Sequence, residues 1–381
     1  MMIPKSILMT ADTVGGVWAY ALELTRALQP HGVEVNLALM GPPLTTAQRA
    51  EADEVSNLCL FKSDYKLEWM SDCWSDVRRA GEWLLHLANR LRPDVIHLNG
   101  YAHANLAWNI PTLVAGHSCV FSWWQAVLEA EPPSEWLRYK KEVSSGLRGA
   151  HLVVTPTAAM LRALETHYGK VYESRVIPNG RSSDLFRPAE KQQLIFSAGR
   201  LWDEAKNIKR VAEIADALPW PVFVAGSNYS PHEQMSAPPD FFDKRCHWLG
   251  PLPEAEMRNW YGSASIYALP ALYEPFGYTP LEAGLSACAL VLSDIPSLRE
   301  VWDDAAVFVE PHDSRALKTE LLRLIENDRY RREMSRRARE RALLFNPARM
   351  GEKYLAAYSD LLVQFQPIRL RRQEEPLAQC A

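Results

Sequence analysis
The chain has no CxxC pair, no DxD, no GxSxG and no Walker motif, and each absence removes a chemistry. Six cysteines (59, 73, 119, 246, 288 and 380) lie scattered without a close Cys/His cluster, so neither a zinc site nor a disulfide framework is indicated. Reduced thiols of this kind fit the cytosol best. Metal-assisted transfer, acyl hydrolysis and P-loop phosphoryl transfer all lose support. Neither sign of charge dominates: a formal net charge of -4 offers no general attraction to nucleic acid or an anionic membrane. Any anion site must be local. The longest apolar region, "LSACALVL", is too short to span a bilayer, so no transmembrane segment is expected. The start offers only "ILM" before Thr10 and Asp12, which argues against a signal peptide. A cytoplasmic location follows as the expectation.

What is present is apolar material in a repeating order. At 381 residues, 48% hydrophobic and 23% charged, the chain has enough for two packed domains. Short apolar runs alternate with amphipathic stretches, the rhythm of an α/β protein with parallel sheets covered by helices. Strands are predicted at 6–9, 33–39, 57–61, 95–98 and 112–115, and "HLVVT", "AAMLRALETHY" and "SRVIP" add a strand, a helix and a strand. In "VWAYALELTRAL", Val17, Ala21, Leu24 and Leu28 share one helical face. Periodicity then lapses in "PNGRSSDLFRPAEKQQ", a linker by its turn formers, and restarts at "LIFSAG" with further strands at 222–225, 246–249, 266–269 and 289–292. The basic run "RYRREMSRRARERALLF" reads as a solvated helix face held by Met334, Ala338 and Leu343. A last helix follows an Asn/Pro start, with Met350, Tyr354, Tyr358 and Leu361 in a stripe. The organisation is a first domain over 1–180, a second over 190–345, a helix over 346–366 and a polar tail over 367–381.

The richest stretch is "ALYEPFGYTPLEAG", between a predicted strand and a predicted helix, on the edge where open α/β sheets bind ligands. Thr279, Pro280 and Glu282 match a capping box, which would account for Glu282 with no ligand. The functional reading starts from Phe276, Gly277, Tyr278 and Thr279, whose backbone N–H groups cradle an anion at a helix start while Gly277 permits close approach. Carboxylates would be repelled by that anion, so Glu274 and Glu282 should face hydroxyls of the same ligand. Phosphates and sugar hydroxyls together describe a nucleotide sugar.

Three weaker constellations lie on similar edges. In "SAGRLWDEAKN", Arg200 and Lys206 follow a strand and could offset a diphosphate as it leaves; alone, such cations are usually solvated. Gly15 and Gly16 offer either a tight turn or a backbone surface for substrate, and they are not part of a GxGxxG fingerprint. His117 follows a strand on the same edge; a lone histidine is as a rule structural, but this position on the ligand edge favours function. Trp123 and Trp124 beside it are the tryptophans best placed to contact an acceptor.

With these residues in view, "EPFGYTPLE" resembles the E-x7-E signature of the retaining glycosyltransferases of family 4, in the GT-B group. Looser similarity runs through "GGVWAYALELTRAL", "PDVIHLNG", "HSCVFSWW", "VIPNGRSSDLFRP" and "WLGPLPEAEMRNWY". The resemblance implies two Rossmann-like domains facing a cleft, the first for acceptor and the second for donor, with the final helix crossing back to the first. It implies that Arg200 and Lys206 hold the diphosphate of a UDP-, GDP- or ADP-sugar, Glu282 the ribose and Glu274 the transferred sugar. The backbone of 276–279 completes the donor site, and His117 is the cleft histidine near the forming bond. Arg200 and Lys206 stand six positions apart, where the family's common spacing is five. Transfer with retention, onto a hydroxyl of a saccharide, lipid or small molecule and with no metal or cofactor, is implied. The alternatives are a GT-B-type nucleotide-sugar epimerase and a non-catalytic nucleotide-sugar-binding module.

Overall fold
The computed structural model describes residues 2–229, 242 and 245–374, with side chains described up to 365. It holds two wholly parallel sheets. The first contains β1 (Ser6–Asp12), β2 (Glu34–Met40), β3 (Leu58–Lys62), β4 (Val95–Leu98), β5 (Thr112–Ala115), β6 (Leu152–Thr155) and β7 (Ser174–Val176), in the order β3-β2-β1-β4-β5-β6-β7. The second contains β8 (Gln192–Ala198), β9 (Val222–Ala225), β10 (Cys246–Gly250), β11 (Ala264–Leu269), β12 (Ala289–Ser293) and β13 (Val307–Val309), in the order β10-β9-β8-β11-β12-β13. Every residue of β11 and β12 is buried, because helices cover both faces and leave no reason for polar alternation. In each sheet the order reverses beside the first strand, between β1 and β4 and between β8 and β11. Such a reversal leaves a crevice at the carboxyl ends of the central strands.

Most predicted strands lie within two residues of their observed bounds, and the misses have local causes. β13 has three residues, too few to show a period. In the basic helix Asp328–Ala342, Met334 and Ala338 are buried, but Leu343 is 41% exposed and Ala342 fills the next core position. Spacing by fours from Met334 selects Ala342, and the helix stops there.

The final helix, Pro347–Glu374, extends beyond the predicted end at 366, running through Pro367 into the first residues of the predicted tail. Residues 375–381 of the predicted tail lie outside the described residues. Asn346 Oδ1 accepts from the Arg349 amide at 3.0 Å and caps the helix start. Met350, Tyr354, Tyr358 and Leu361 join one core with Ile7, Met9 and Leu37 of the first sheet. The helix lies close against the first helix, Gly16–Leu28: a Cβ on Gly351 would stand 2.9 Å from that of Ala27.

Candidate active site
The second domain presents three groups of side chains at its strand ends. Just past β8, Arg200 Nη2 pairs with Asp203 Oδ2 at 2.6 Å, and its guanidinium lies 5.0 Å from the Trp202 ring centre. Asp203 also accepts from the Ala205 amide at 3.2 Å, which starts the short turn that delivers Lys206. Burial opposes the Asp203 charge, but Arg200 and Lys206 outweigh it and hold its carboxyl below the usual range. Lys206 Nζ reaches Glu274 Oε2 at 2.7 Å, so the lysine and the loop glutamate, far apart in sequence, meet at one edge.

The main chain of the Glu274 loop is clamped from two sides. Ser297 Oγ donates to the Glu274 carbonyl at 2.5 Å, and Thr157 Oγ1, from the first domain, donates to the Pro275 carbonyl at 3.0 Å. The capping box predicted here does not form. The helix is Tyr278–Leu285, its N-cap is Gly277 at φ 92 and ψ 83, and no side chain caps it. Only glycine is at ease in that left-handed conformation, and a Cβ would also fall 2.7 Å from Pro280 Cγ. Thr279 is therefore second in the helix and Pro280 third, where a missing N–H removes only a donor with no intrahelical partner. The amides of Tyr278 and Thr279, at the first two helical positions, have no intrahelical acceptor. Phe276 contributes backbone alone, since its side chain is buried against Phe345 with ring centres 5.7 Å apart.

Glu282, fifth in the helix, turns to a residue that sequence reading passed over. Arg181, in the predicted linker and 4% exposed, gives Nε to Glu282 Oε1 at 2.9 Å, Nη1 to Glu23 Oε1 at 2.9 Å and Nη2 to Glu254 Oε2 at 2.6 Å. Arg258 also touches Glu254. Three carboxylates thus face two guanidiniums. Burial works against Arg181, yet the carboxylates outweigh it and raise its pKa. Glu254 is held below the usual carboxylate range, with the guanidiniums overcoming burial, whereas burial pushes Glu282 up.

The first domain supplies the opposite wall. His117 Nε2 stands 2.8 Å from Asn99 Oδ1, and Asn99 Nδ2 donates to the Thr10 carbonyl at 2.6 Å. With Nδ2 committed to a carbonyl, Oδ1 must be the acceptor, so His117 carries its proton on Nε2 and keeps the Nδ1 lone pair. The Tyr20 ring lies edge-on at 4.4 Å from His117 and its hydroxyl is 3.2 Å from His97 Nε2, whose Nδ1 is 2.6 Å from the Tyr358 hydroxyl of the final helix. Gly15 and Gly16 serve close approach across the domains: a Cβ would meet Arg200 Nη1 at 3.0 Å from Gly15 and Tyr278 Cδ2 at 3.2 Å from Gly16. Trp123 donates its indole N–H to Asp203 Oδ1 at 3.0 Å, bridging the domains, and Trp124 lies edge-on to it.

Burial pushes His117 down to about 4 and His97 down to about 3. Both are neutral at pH 7. Between pH 6.5 and about 4 the unfolded chain binds protons on these residues and the folded chain does not, so stability falls as pH falls. His97→Gln is expected to flatten that decline, which urea denaturation from pH 7 to 4.5 would measure.

Arg181, Asp203, Asn99, Glu23 and Tyr20 were absent from the predicted site. Asn99 lies in the quoted "HLNG" and Arg181 in "VIPNGRSSDLFRP", but neither position carries a spacing that marks it as polar and buried.

Two parallel sheets, each with its reversal point at a shared edge, define the GT-B class of fold. Residues 14–185 match the family described as Glycosyltransferase Family 4, and residues 183–341 match Glycosyl transferases group 1. The two matches adjoin across most of the sequence, and the chain belongs to this glycosyltransferase family. The O-antigen chain mannosyltransferase B of Escherichia coli is 29% identical over 111 residues, 29% of this chain and 29% of that protein. The match thus spans about three tenths of that relative's length. Over the whole fold, sucrose-phosphate synthase from Thermosynechococcus elongatus superposes with a TM-score of 0.79 at 17% identity, covering 94% of this chain and 100% of that one. Anabaena Alr3699/HepE in complex with UDP-glucose gives 0.74 at 14%, covering 93% and 99%. Among the described residues no helix is long and apolar enough to cross a membrane.

Proposed function
We propose that the chain is a retaining glycosyltransferase that moves a sugar from a nucleotide-diphosphate sugar to an acceptor hydroxyl without a required metal. The observation that carries this reading is the Lys206–Glu274 pair beside an uncapped helix start. One edge thereby offers a cation, amides without an intrahelical acceptor and a carboxylate, the complement of a phosphate attached to a sugar. Lys206 and Arg200 take the diphosphate, with the Tyr278 and Thr279 amides, and Gly277 leaves room for approach. Glu274 takes hydroxyls of the transferred sugar. Glu282 has one oxygen on Arg181 and turns the other to the ribose hydroxyls. The His117 Nδ1 lone pair accepts from a sugar hydroxyl near the reacting carbon.

In the transfer, the bond from the anomeric carbon to the diphosphate oxygen breaks and the bond to the acceptor oxygen forms on the same face. The acceptor's proton goes to the departing diphosphate oxygen. The protein contributes position and charge stabilisation, so Glu274 is not assigned as a nucleophile. The UDP-glucose complex of a similarly folded protein supports a nucleotide-sugar donor, and the mannosyltransferase relative supports transfer of a sugar. A thermal-shift panel of UDP-, GDP- and ADP-sugars tests it: at least one is expected to raise the melting temperature progressively with concentration. No shift with any of them at millimolar concentration would overturn the reading.

A further inference from the structure
Arg181 is held from its main chain to the tip of its side chain. Its amide donates to the Phe345 carbonyl at 3.0 Å, where the chain turns toward the final helix. A Cβ on the preceding Gly180 would fall 2.6 Å from the Asn346 carbonyl carbon, so the two passages of chain are in close contact there. The guanidinium lies 4.8 Å from the centre of the Phe186 ring, which is 1% exposed and also carries Arg258 at 5.9 Å. With three ion pairs added, the plane of the fork is fixed.

Each arm of the fork goes to a different element. Nη1 holds Glu23 on the first domain's helix Gly16–Leu28, Nη2 holds Glu254 at the first position of the helix Glu254–Ser263, and Nε holds Glu282 on the helix Tyr278–Leu285. Glu23 is 2% exposed and Glu254 spends its second oxygen on Arg258, so these two are anchors. Of the three carboxylates, Glu282 alone is assigned to the donor, and its side chain keeps 11% exposure. A carboxylate clamped by one oxygen presents the other in a single place. That oxygen has two lone pairs, enough for two neighbouring hydroxyls, and a ligand lacking one of them leaves a lone pair without a partner. Burial works against the Glu282 charge, and Arg181 is the main influence opposing it, so the same contact helps to keep the group an acceptor.

We infer that Arg181 is a positioning residue through which Glu23 and Glu254 aim Glu282, and that this alignment selects ribonucleotide over 2′-deoxyribonucleotide donors. The assignment rests on the glycosyltransferase reading for the ribose itself. Arg181, at 4% exposure, has almost no surface to offer a ligand and acts through Glu282. Because Glu23 belongs to the first domain, discrimination at the donor depends on that domain being in place.

Calorimetry on the full chain with UDP and 2′-deoxy-UDP, GDP and 2′-deoxy-GDP, and ADP and 2′-deoxy-ADP tests it. The members of a pair share base and diphosphate, so their affinity ratio reports the ribose contact. The native chain is expected to bind at least one ribonucleotide about tenfold more tightly than its deoxy partner, the usual worth of one hydrogen bond to a charged group. Arg181→Lys keeps the charge and loses the fork, and it is expected to cut that ratio to about threefold or less. A merely structural Arg181 would lower both affinities alike and leave the ratio where it was. Arg181→Met with Glu23→Leu removes the guanidinium together with its most buried partner and serves if Arg181→Lys does not fold; its ratio is expected to approach about one. No preference in the native chain, or an unchanged ratio in a folded Arg181 variant, overturns the inference and leaves the donor assignment standing. Failure of every nucleotide to bind overturns the inference and the glycosyltransferase reading together.

Discussion
Arg181→Ala is expected to lower the unfolding free energy by about 3–5 kcal/mol, the usual consequence of removing one partner from a buried ion pair. The size follows from what the substitution leaves behind. Glu23 is 2% exposed and loses its pairing with Nη1, Glu282 loses Nε, and Glu254 keeps only Arg258. Protonation would relieve the strain on these carboxylates, so the deficit should be largest at alkaline pH and shrink toward pH 5. Arg181→Lys keeps the charge but replaces a planar fork that reaches three partners by one ammonium, and it should recover part of the loss. Arg181→Met with Glu23→Leu should recover more than Arg181→Met alone, since it removes the uncompensated buried charge with its partner. Urea denaturation of the four variants measures these differences, and a loss below about 1 kcal/mol in Arg181→Ala would mean the cluster is hydrated rather than buried.

Lys206→Ala is expected to reduce turnover by about 10²–10³-fold once a donor is known, comparable to deleting one donor from a charge-stabilising site. The lysine acts at two stages. In the free protein it neutralises Glu274, whose side chain is only 11% exposed, and during transfer it would meet charge accumulating on the leaving diphosphate. These stages separate experimentally. Lys206→Ala with Glu274→Gln removes the stranded carboxylate, so its folding stability should return toward that of the native chain while its turnover stays well below that of Glu274→Gln alone. If turnover returned as well, Lys206 would be a structural partner of Glu274 and no more. Nucleoside diphosphate affinity, read by calorimetry, should fall in both variants.

The sheets were legible because their strands are buried on both faces and read as uninterrupted apolar runs bounded by turn formers. β11 is an example: all six residues are buried, and its predicted bounds differ only at the start. The candidate site was legible where a backbone requirement leaves a trace, as at Gly277. It was misread where one pattern serves two geometries. Thr279, Pro280 and Glu282 have capping-box spacing, yet the helix begins one position before Thr279 because Gly277 can adopt the left-handed N-cap and Thr279 need not. Arg181 left no local trace at all. Its partners come from residues 23, 254 and 282, and only the folded chain brings three helices around one guanidinium.

The final helix sets the order in which the molecule can be completed. The second domain's core draws on residues between Phe186 and Ala342, a self-contained stretch of chain. The core that includes Ile7, Met9 and Leu37 is closed by Met350, Tyr354, Leu355, Tyr358 and Leu361. During synthesis from the amino end, the domain that emerges first must therefore wait with one apolar face uncovered until residues 350–361 have been made. The usual sequence of domain maturation is reversed, and the first domain is the last to become native.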